Sequence, residues 1–269
     1  MENINSSVDI IMATFNPGEW FIKSVESIRA QTFENWRLII VDDGSAKEYK
    51  PLIEGVVKLD ERIQLITHEK NYGGGAARNT ALEACTSDYV AFCDSDDIWP
   101  AGKLEKQIRF MKKNHAKMSH GDLKNFYEIP EDIYDLDQKE LEKRLSQELV
   151  TLHSFLKNPN LFFSSIVIRR DVIGTARFGN MKARHPFRFW CMVLSSGVTS
   201  IKCPDCFYFY YVRKGSVSSS KLKMVYYTML AYFKYAPSLS LAIIGLISRA
   251  KVFILTLGAR WHMKTGRKN

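Results

Sequence analysis

Cysteine is scarce in this chain, with five residues among 269. An odd number at irregular spacing does not suggest a disulfide framework, so we expect the protein to reside in a reducing compartment. Cys203 and Cys206 are spaced as CxxC, but no second pair with metal-ligand spacing accompanies them. We interpret this segment as a turn before a strand, and favour that over a zinc or redox site.

The chain also lacks a charge-free apolar run that is long enough to cross a bilayer. Residues 239–258 have the length, but Arg249 and Lys251 lie near the middle of this stretch. A central Arg or Lys costs about 2.5–3.5 kcal/mol on membrane-insertion scales. The first seven residues are polar and carry no signal-peptide pattern. We therefore expect attachment at a membrane interface rather than a true span.

Positive charge is in excess, with a net charge of +9. Such a surface attracts nucleic acid, anionic lipid or phosphorylated substrates, but no nucleic-acid motif accompanies the charge, so we expect no nucleic-acid partner. Basic and aromatic residues concentrate in 221–269, which favours helices that lie on an anionic lipid surface. The alternative is a helix packed on the domain, followed by a solvated basic tail.

Short apolar runs alternate with helical patterns in the first half of the chain. The runs that predict strands are Val8–Met12, Arg37–Val41, Ile63–Thr67 and Tyr89–Cys93. This alternation predicts an α/β fold with a doubly wound, mostly parallel sheet. We divide the chain into a domain at 1–220, with halves 1–115 and 116–220, and a helical basic and apolar appendage at 221–269.

Polar side chains follow three of these strands, at the edge where ligands collect in a parallel sheet. They are Thr14 and Asn16 after the first strand, Asp42 and Asp43 after the second, and Asp94 and Asp96 after the fourth. Two carboxylates two residues apart can converge on Mg²⁺ or Mn²⁺. Taken alone, the acidic stretch 94–97 is better explained as a solvated loop that caps the next helix. The Asp42-Asp43 pair is explained equally well by an Asx turn.

A glycine loop, residues 71–79, runs into the start of a predicted helix. Gly73 and its neighbours would present backbone N–H groups, and Arg78 a guanidinium, both of which favour an anion such as phosphate. The loop is neither a Walker A motif nor a clean GxGxxG. A tight turn that needs positive φ is the alternative explanation.

In this order and spacing, the motifs resemble those of the family-2 glycosyltransferases. The residues that carry the resemblance are Ala13–Asn16, Gln31–Trp36, Val41–Ser45, Asn71–Asn79, Asp94–Asp97, Trp99 and Lys103-Leu104, with Ser164–Arg170 and Arg213–Ser219 further on. The resemblance implies an inverting transferase with a GT-A-type, Rossmann-like fold. It is specific for the family, and leaves the donor and the acceptor open.

The resemblance also implies roles for single residues. Thr14, Asn16 and Asp42 would line the nucleotide pocket, with Asp42 on the base and Asp43 beside it. Arg78 would lie near the nucleotide and its diphosphate. Asp94 would contact the donor sugar or ribose, and Asp96 would hold Mg²⁺ or Mn²⁺. Arg213, with Ser216 nearby, would belong to a segment that closes over the diphosphate.

One position departs from the family pattern. Members usually carry an Asp general base just before an aromatic helix, and Pro186 occupies that place here. Proline accepts no proton, whereas the adjacent His185 titrates near neutrality and is our candidate base. The alternative is that His185 has no chemical role. Asp171 and Asp205 are further carboxylates that could substitute.

We therefore expect a metal-dependent hexosyltransferase that uses a nucleotide-sugar, of which a UDP-sugar is the best candidate. The implied acceptor is a polyprenyl-diphosphate-linked saccharide for bacterial O-antigen, capsule or exopolysaccharide. The implied location is peripheral, on the cytoplasmic face of the inner membrane. Because of Pro186, the alternative is a degenerate domain that binds nucleotide-sugar or a partner transferase without turnover. A nucleotidyltransferase would need a basic glycine loop after the first strand, which is missing.

Overall fold

A computed structural model describes residues 6–133, 141–180, 185–212 and 221–236, together with 238, 240, 242–243 and 245–247. The strands within these residues are β1 Val8–Thr14, β2 Trp36–Asp42, β3 Ile63–Thr67, β4 Tyr89–Phe92, β5 Met118–Phe126, β6 Lys143–Arg144, β7 Leu149–Val150, β8 Val167–Arg169 and β9 Ser200–Tyr211. The α-helices are α1 Glu19–Arg29, α2 Lys50–Val57, α3 Gly74–Glu83, α4 Lys103–Lys113, α5 Leu152–Lys157, α6 His185–Ser195 and α7 Lys221–Tyr235.

The strands form one sheet in the order β3-β2-β1-β4-β8-β5-β9-β7, with β6 paired to β5. Strands β1 to β4 are mutually parallel, and β5 is parallel to β9. Strand β8 runs antiparallel between β4 and β5. This confirms a mostly parallel α/β sheet, in which the carboxyl ends of β1, β2 and β4 meet at one edge.

The sheet is covered on both faces because its central strands are apolar on both sides. Ile10 and Met12 of β1 belong to a core with helices α1, α2 and α4. Ile11, on the opposite face, belongs to a core with α3, α5, α6 and α7. The alternation follows from the two-residue period of a strand. Buried on both faces, such strands read as continuous hydrophobic runs.

Two elements, α2 and β5, were not predicted from the sequence. Helix α2 begins with Lys50 and Pro51, in the N-terminal position where proline is tolerated. Strand β5 has the sequence MSHGDLKNF, yet nearly all of its residues are buried. Its polar side chains have partners: His120 bonds Ser200 Oγ at 2.7 Å, and Asp122 accepts from Ser146. A hydrophobic pattern therefore does not reveal this strand.

The interpretation of Cys203 and Cys206 was wrong. Both lie inside β9, at an irregularity where its register with β5 shifts. Asp205 has a φ of 56° there, and the bulge brings the two Cα atoms to 5.4 Å, within disulfide reach. The pair forms a disulfide, whereas we had expected a turn with no disulfide.

Helix α7 packs on the domain by one side only. Tyr232 is fully buried, contacts Phe187 at 4.8 Å between ring centroids, and donates to the Leu156 carbonyl. The opposite side leaves Tyr226 and Phe233 each 59% exposed. Within the part of the chain that the structure describes, none of the helices has the length and apolar character needed to cross a bilayer.

Candidate active site

The first and second strands end side by side. Thr14 pairs with Asp42 in the parallel register, and the Asp43 N–H donates to the Thr14 carbonyl at 2.9 Å. Strand β4 flanks β1 on the other side, with Phe92 opposite Ile11, so Asp94 follows at the same edge. The polar residues that the sequence places after three separate strands are thus neighbours in the fold.

Asn16 joins the loops that follow β1 and β2. Its N–H donates to Ser45 Oγ at 2.8 Å, and its Oδ1 accepts from the Ala46 N–H at 3.0 Å. Asn16 has a φ of 46°, a conformation that asparagine tolerates better than most residues. Asp42, beneath these loops, accepts from the Ser45 N–H at 2.9 Å and pairs with Lys50 at 3.4 Å. Asn16 therefore ties the loop after β1 to the loop after β2, next to Asp42.

The Thr14 side chain is buried at the end of β1, beside Asp42. The residue is 3% exposed, and its Oγ1 finds no hydrogen-bond partner among the described residues. A buried hydroxyl without a partner carries a desolvation cost of about 1–3 kcal/mol. A bound ligand would remove that cost by supplying the partner.

Asp43 holds the glycine loop in place. Its carboxylate accepts from the Tyr72 N–H at 3.0 Å and from the Gly73 N–H at 2.8 Å, and contacts His68 Nδ1 at 2.8 Å. Gly73 has a φ of 95°, which favours glycine, and it precedes the first turn of α3. The carboxylate is 2% exposed and is already used by these groups. Its contacts indicate that Asp43 positions the loop.

Arg78 connects α3 to the end of β4. Its Nη2 donates to Asp94 Oδ1 at 2.5 Å, and its Nη1 donates to the Gly74 carbonyl at 3.1 Å. The guanidinium lies over the Phe163 ring at 4.7 Å. The pair is partly open to solvent, with 31% of the Asp94 side chain exposed. The Arg78 guanidinium and the Asp94 carboxylate therefore lie together at the sheet edge, near the N-terminus of α3.

Ser164 links the acidic loop after β4, residues 94–97, to the second half of the domain. Its Oγ accepts from the Asp94 N–H at 2.9 Å and donates to Asp97 Oδ2 at 2.5 Å. Asp97 is 1% exposed, and burial raises the pKa of its carboxyl well above the usual value, with Asp96 and then Asp94 adding to the shift. The side chains of Asp94 and Asp96 remain partly exposed, while Asp97 is turned inward.

A cavity of about 300 Å³ lies beside Asp94. Its walls come from β5, β6 and the end of β9, from α5 and the segment after it, and from α6. The lining residues are Asp94, Leu123, Arg144, Phe155, Pro159, Asn160, Leu161, Phe162, Phe163, Pro186, Phe187, Trp190, Tyr208 and Tyr210. Aromatic rings alternate with a few polar groups, as in sites that bind small organic ligands.

Pro186, where the family pattern has a carboxylate, lines this cavity together with Asp94. The backbone of His185 begins α6, and its side chain lies outside the described residues. The other two carboxylates considered are not among the lining residues. Asp171 follows Arg169, which pairs with the first residue of β4, so it lies at the opposite edge of the sheet. Asp205 is exposed in the bulge of β9.

The structure brings most of the predicted site residues together. These are Thr14, Asn16, Asp42, Asp43, Gly73, Arg78, Asp94 and Asp96. Arg213 and Ser216 lie outside the described residues. The side of the cavity formed by Arg144, Asn160, Tyr208 and Tyr210 was not predicted, because these residues belong to no motif and meet only through the sheet order.

Comparison with known proteins gives a consistent result. The model of the family "Glycosyl transferase family 2" matches residues 9–175. TuaG of Bacillus subtilis (strain 168), named as a teichuronic acid biosynthesis glycosyltransferase, is 31% identical over 233 residues. This alignment covers 86% of this chain and 89% of TuaG.

A second relative is the UDP-Glc:alpha-D-GlcNAc-diphosphoundecaprenol beta-1,3-glucosyltransferase WfgD of Escherichia coli. It is 31% identical over 217 residues, 80% of this chain and 81% of its own. Among solved structures, the mannosyltransferase PcManGT from Pyrobaculum calidifontis, in complex with GDP-Man and Mn²⁺, superposes with a TM-score of 0.64. It is 15% identical and covers 96% of this chain and 81% of that one. The likeness shows that the fold is of the GT-A type.

Proposed function

Because the chain belongs to glycosyl transferase family 2, we propose that it transfers a hexose from a UDP-sugar to a lipid-linked oligosaccharide, with inversion. The observation that carries this is the convergence of Thr14, Asp42, Arg78 and Asp94 at one sheet edge, beside a cavity. The name of WfgD gives a UDP-glucose donor and a diphosphoundecaprenol-linked acceptor. The product is a bacterial surface polysaccharide such as O-antigen, capsule or exopolysaccharide.

The donor lies across the ends of β1, β2 and β4. The base and ribose lie against Thr14 and Asp42, where the Thr14 hydroxyl, which has no partner among the described residues, supplies a hydrogen bond. The diphosphate faces the N-terminus of α3 and Arg78, since backbone N–H groups and a guanidinium both favour phosphate. Asp94 then stands between the diphosphate and the cavity, where it can bind the sugar. Arg213 and Ser216 remain the predicted closing segment.

The acidic loop has the donor set that Mg²⁺ or Mn²⁺ requires. Such ions are usually held by one or two carboxylates together with substrate phosphates. Asp94 and Asp96 offer oxygen atoms at a partly exposed loop, and no group of three or more acidic, His or Cys side chains is assembled among the described residues. Asp96 is therefore the proposed ligand, completed by the diphosphate. The ion would neutralise the charge of the departing nucleoside diphosphate.

The acceptor hydroxyl attacks the anomeric carbon from the cavity, on the side opposite the leaving diphosphate, which inverts the configuration. A general base takes the hydroxyl proton as the bond forms. Pro186 cannot do this, so His185, at the first position of α6 beside the cavity, is the proposed base. Arg78 stabilises the leaving diphosphate through its guanidinium.

A transfer assay with a radiolabelled UDP-sugar and a lipid-linked acceptor tests this function, with donor hydrolysis followed in parallel. We expect transfer with Mn²⁺ or Mg²⁺ that falls at least 100-fold in Asp96→Ala. Asp171→Asn, which changes a carboxylate at the opposite sheet edge, is the matched control. Binding of UDP without transfer or hydrolysis, across a panel of donors and acceptors, would favour the binding-only alternative that Pro186 suggests.

The role of His185 has its own test. His185→Gln should lower kcat by about 10²–10⁴-fold and remove the acidic limb of the pH profile. Pro186→Asp returns a carboxylate to the family position and should restore part of that rate. A His185→Gln enzyme with unchanged kcat and pH profile would show that the histidine takes no proton.

We further propose that residues 221–269 attach the transferase domain, residues 1–220, to an anionic membrane surface. On α7 the exposed side chains Tyr226, Met229, Leu230 and Phe233 follow each other at helical spacing, opposite the buried Tyr232. This apolar stripe and the basic residues of 249–269 have the character of an interfacial helix. The buried side of α7 also matches the packed-helix alternative, and one helix can serve both purposes.

Sedimentation with lipid vesicles tests the attachment. The protein should bind vesicles that contain anionic lipid, and bind them less in high salt. Replacing Tyr226 and Phe233 by Ser should reduce binding several-fold, whereas Leu59→Ser, at an exposed apolar residue elsewhere, should not. Equal vesicle binding by the wild type, the Tyr226 and Phe233 double variant and Leu59→Ser would show that the apolar stripe of α7 does not attach the protein to the membrane.

A further inference from the structure

The cavity beside Asp94 is lined by one positively charged side chain, Arg144, to which the proposed reaction assigns no role. Arg144 lies on β6, which pairs with Leu123 and Lys124 of β5. Its guanidinium lies over the Phe162 ring at 5.5 Å, and it lines the same cavity as Asp94 and Pro186. The structure therefore places a positive charge in the wall of this cavity.

None of the described carboxylates forms an ion pair with Arg144. Its neighbour Lys143 provides a contrast, because Lys143 Nζ pairs with Asp122 Oδ2 at 3.3 Å. Successive side chains of a strand point to opposite faces, so the two neighbours serve different surroundings. Lys143 is held by Asp122, while no described residue accepts a hydrogen bond from the Arg144 guanidinium, whose donors can therefore face a ligand.

Two guanidinium groups stand on two consecutive aromatic rings. Arg78 lies over Phe163 and is paired with Asp94, and Arg144 lies over Phe162 without a carboxylate. The first belongs to the donor diphosphate. The second lies on the β5 and β6 side of the cavity, away from the ends of β1 and β2. An anion bound by Arg144 therefore belongs to the other substrate.

We propose that Arg144 binds a phosphate group of the acceptor, the one that joins the acceptor sugar to its lipid carrier. The inference rests on the proposed function, and it names the anionic group of the acceptor that the cavity beside Asp94 recognises. Aromatic walls such as Tyr208 and Tyr210 suit a sugar ring. The planar guanidinium of Arg144 suits the adjoining phosphate, which it can bind through two parallel hydrogen bonds. Arg144 is then a determinant of acceptor specificity, and takes no part in bond breaking.

The test uses three acceptors with the same short alkyl chain. They carry an N-acetylhexosamine linked through a diphosphate, the same sugar linked as a neutral glycoside, and a hexuronic acid glycoside. Each is assayed for transfer, and its binding to the full chain is measured by calorimetry. The proteins are the wild type, Arg144→Gln, Arg144→Lys and the neighbouring control Lys143→Gln.

Arg144→Gln should raise KM and Kd for the diphosphate acceptor by about 10- to 100-fold, because a charged hydrogen-bonded contact is lost. Its KM for the UDP-sugar, and its weak use of the neutral acceptor, should stay as in the wild type. Arg144→Lys should recover part of the affinity, and Lys143→Gln should match the wild type. Unchanged thermal unfolding of the variants would show that the fold is retained.

Four outcomes would overturn the assignment. An equal loss on charged and neutral acceptors would mean that Arg144 supports the cavity only. A loss confined to the hexuronic acid acceptor would assign it to a carboxylate, and a raised KM for the UDP-sugar would assign it to the donor. Arg144-dependent binding of the diphosphate acceptor without transfer would refute the proposed function alone. Transfer by the wild type with an unaffected Arg144→Gln would refute this inference alone.

Discussion

Arg78 Nη2 lies 2.5 Å from Asp94 Oδ1, and this contact joins the N-terminal part of α3 to the loop after β4. The two residues are sixteen positions apart in the chain and come from different motifs. In the proposed reaction the guanidinium serves the donor diphosphate and the carboxylate serves the donor sugar. Their contact links recognition of the two parts of one substrate.

This link predicts non-additive effects on donor binding. Arg78→Ala and Asp94→Ala should each weaken binding of the UDP-sugar by at least about 10-fold, since each leaves a charged group without its partner. The double variant should lose less than the product of the two single losses. Calorimetric titration of the four proteins completes the cycle, and strictly additive free energies would show that the two residues act independently.

Thr14→Val separates ligand binding from stability. The hydroxyl has no hydrogen-bond partner among the described residues, so replacing it by a methyl group of similar shape should leave Tm unchanged or slightly raised. UDP binding should nevertheless weaken by about 5- to 10-fold, the value of one hydrogen bond. Thermal unfolding with and without UDP measures both. A lower Tm without ligand would show that the hydroxyl stabilises the protein itself.

Asp97 and Ser164 support the acidic loop, residues 94–97, through their hydrogen bond, and they should tolerate different substitutions. Burial raises the pKa of Asp97 well above its usual range, so Asp97→Asn, which keeps a neutral polar group, should retain most of the activity. Ser164→Ala removes both hydrogen bonds of the bridge and should lower kcat and the affinity for Mn²⁺ about 10-fold. Mn²⁺ titration of the transfer rate checks this. The neighbouring Ser165→Ala serves as the control, since that hydroxyl donates to the Phe162 carbonyl and to no other group among the described residues.

Because of Lys103, the free energy of unfolding should change with pH between neutral and alkaline values. The residue is 2% exposed, lies over the Trp99 ring at 3.9 Å and donates to Gln107, and burial lowers its pKa to about 7. Between pH 7 and the ordinary lysine value of 10.5, the unfolded chain binds a proton that the folded chain does not. The free energy of unfolding therefore rises with pH in this window.

Lys103→Met removes this titration, and its free energy of unfolding should rise less between pH 7 and 9.5 by about 1 kcal/mol or more. Lys106→Met, at an exposed lysine of the same helix, should keep the wild-type dependence. Urea unfolding at the two pH values measures both variants. Identical slopes for all three proteins would mean that Lys103 keeps its proton in the folded state.

The sequence predicted the structure best where one segment contains both an apolar strand pattern and the polar motif that follows the strand. The apolar run of β2, bounded by Asp42 and Asp43, predicts a buried strand and its polar end together. The cavity could not be predicted in this way. Arg144 and Tyr210 are 66 positions apart by their numbering, and they meet only because β6 and β9 both pair with β5. Strand β5 has no apolar pattern, so the sequence does not predict the strand that positions β6 and β9 at this cavity.

Strand β8 has a consequence for the way the chain is made. It fills the place between β4 and β5, although it is synthesised after both of them. A nascent chain that has emerged only as far as α4 therefore has β4 as an open edge with unpaired backbone groups, which invites association with other chains. The half at residues 1–115 thus gains the strand that covers β4 only after Arg169 has left the ribosome, and it should not survive excision as a separate fragment.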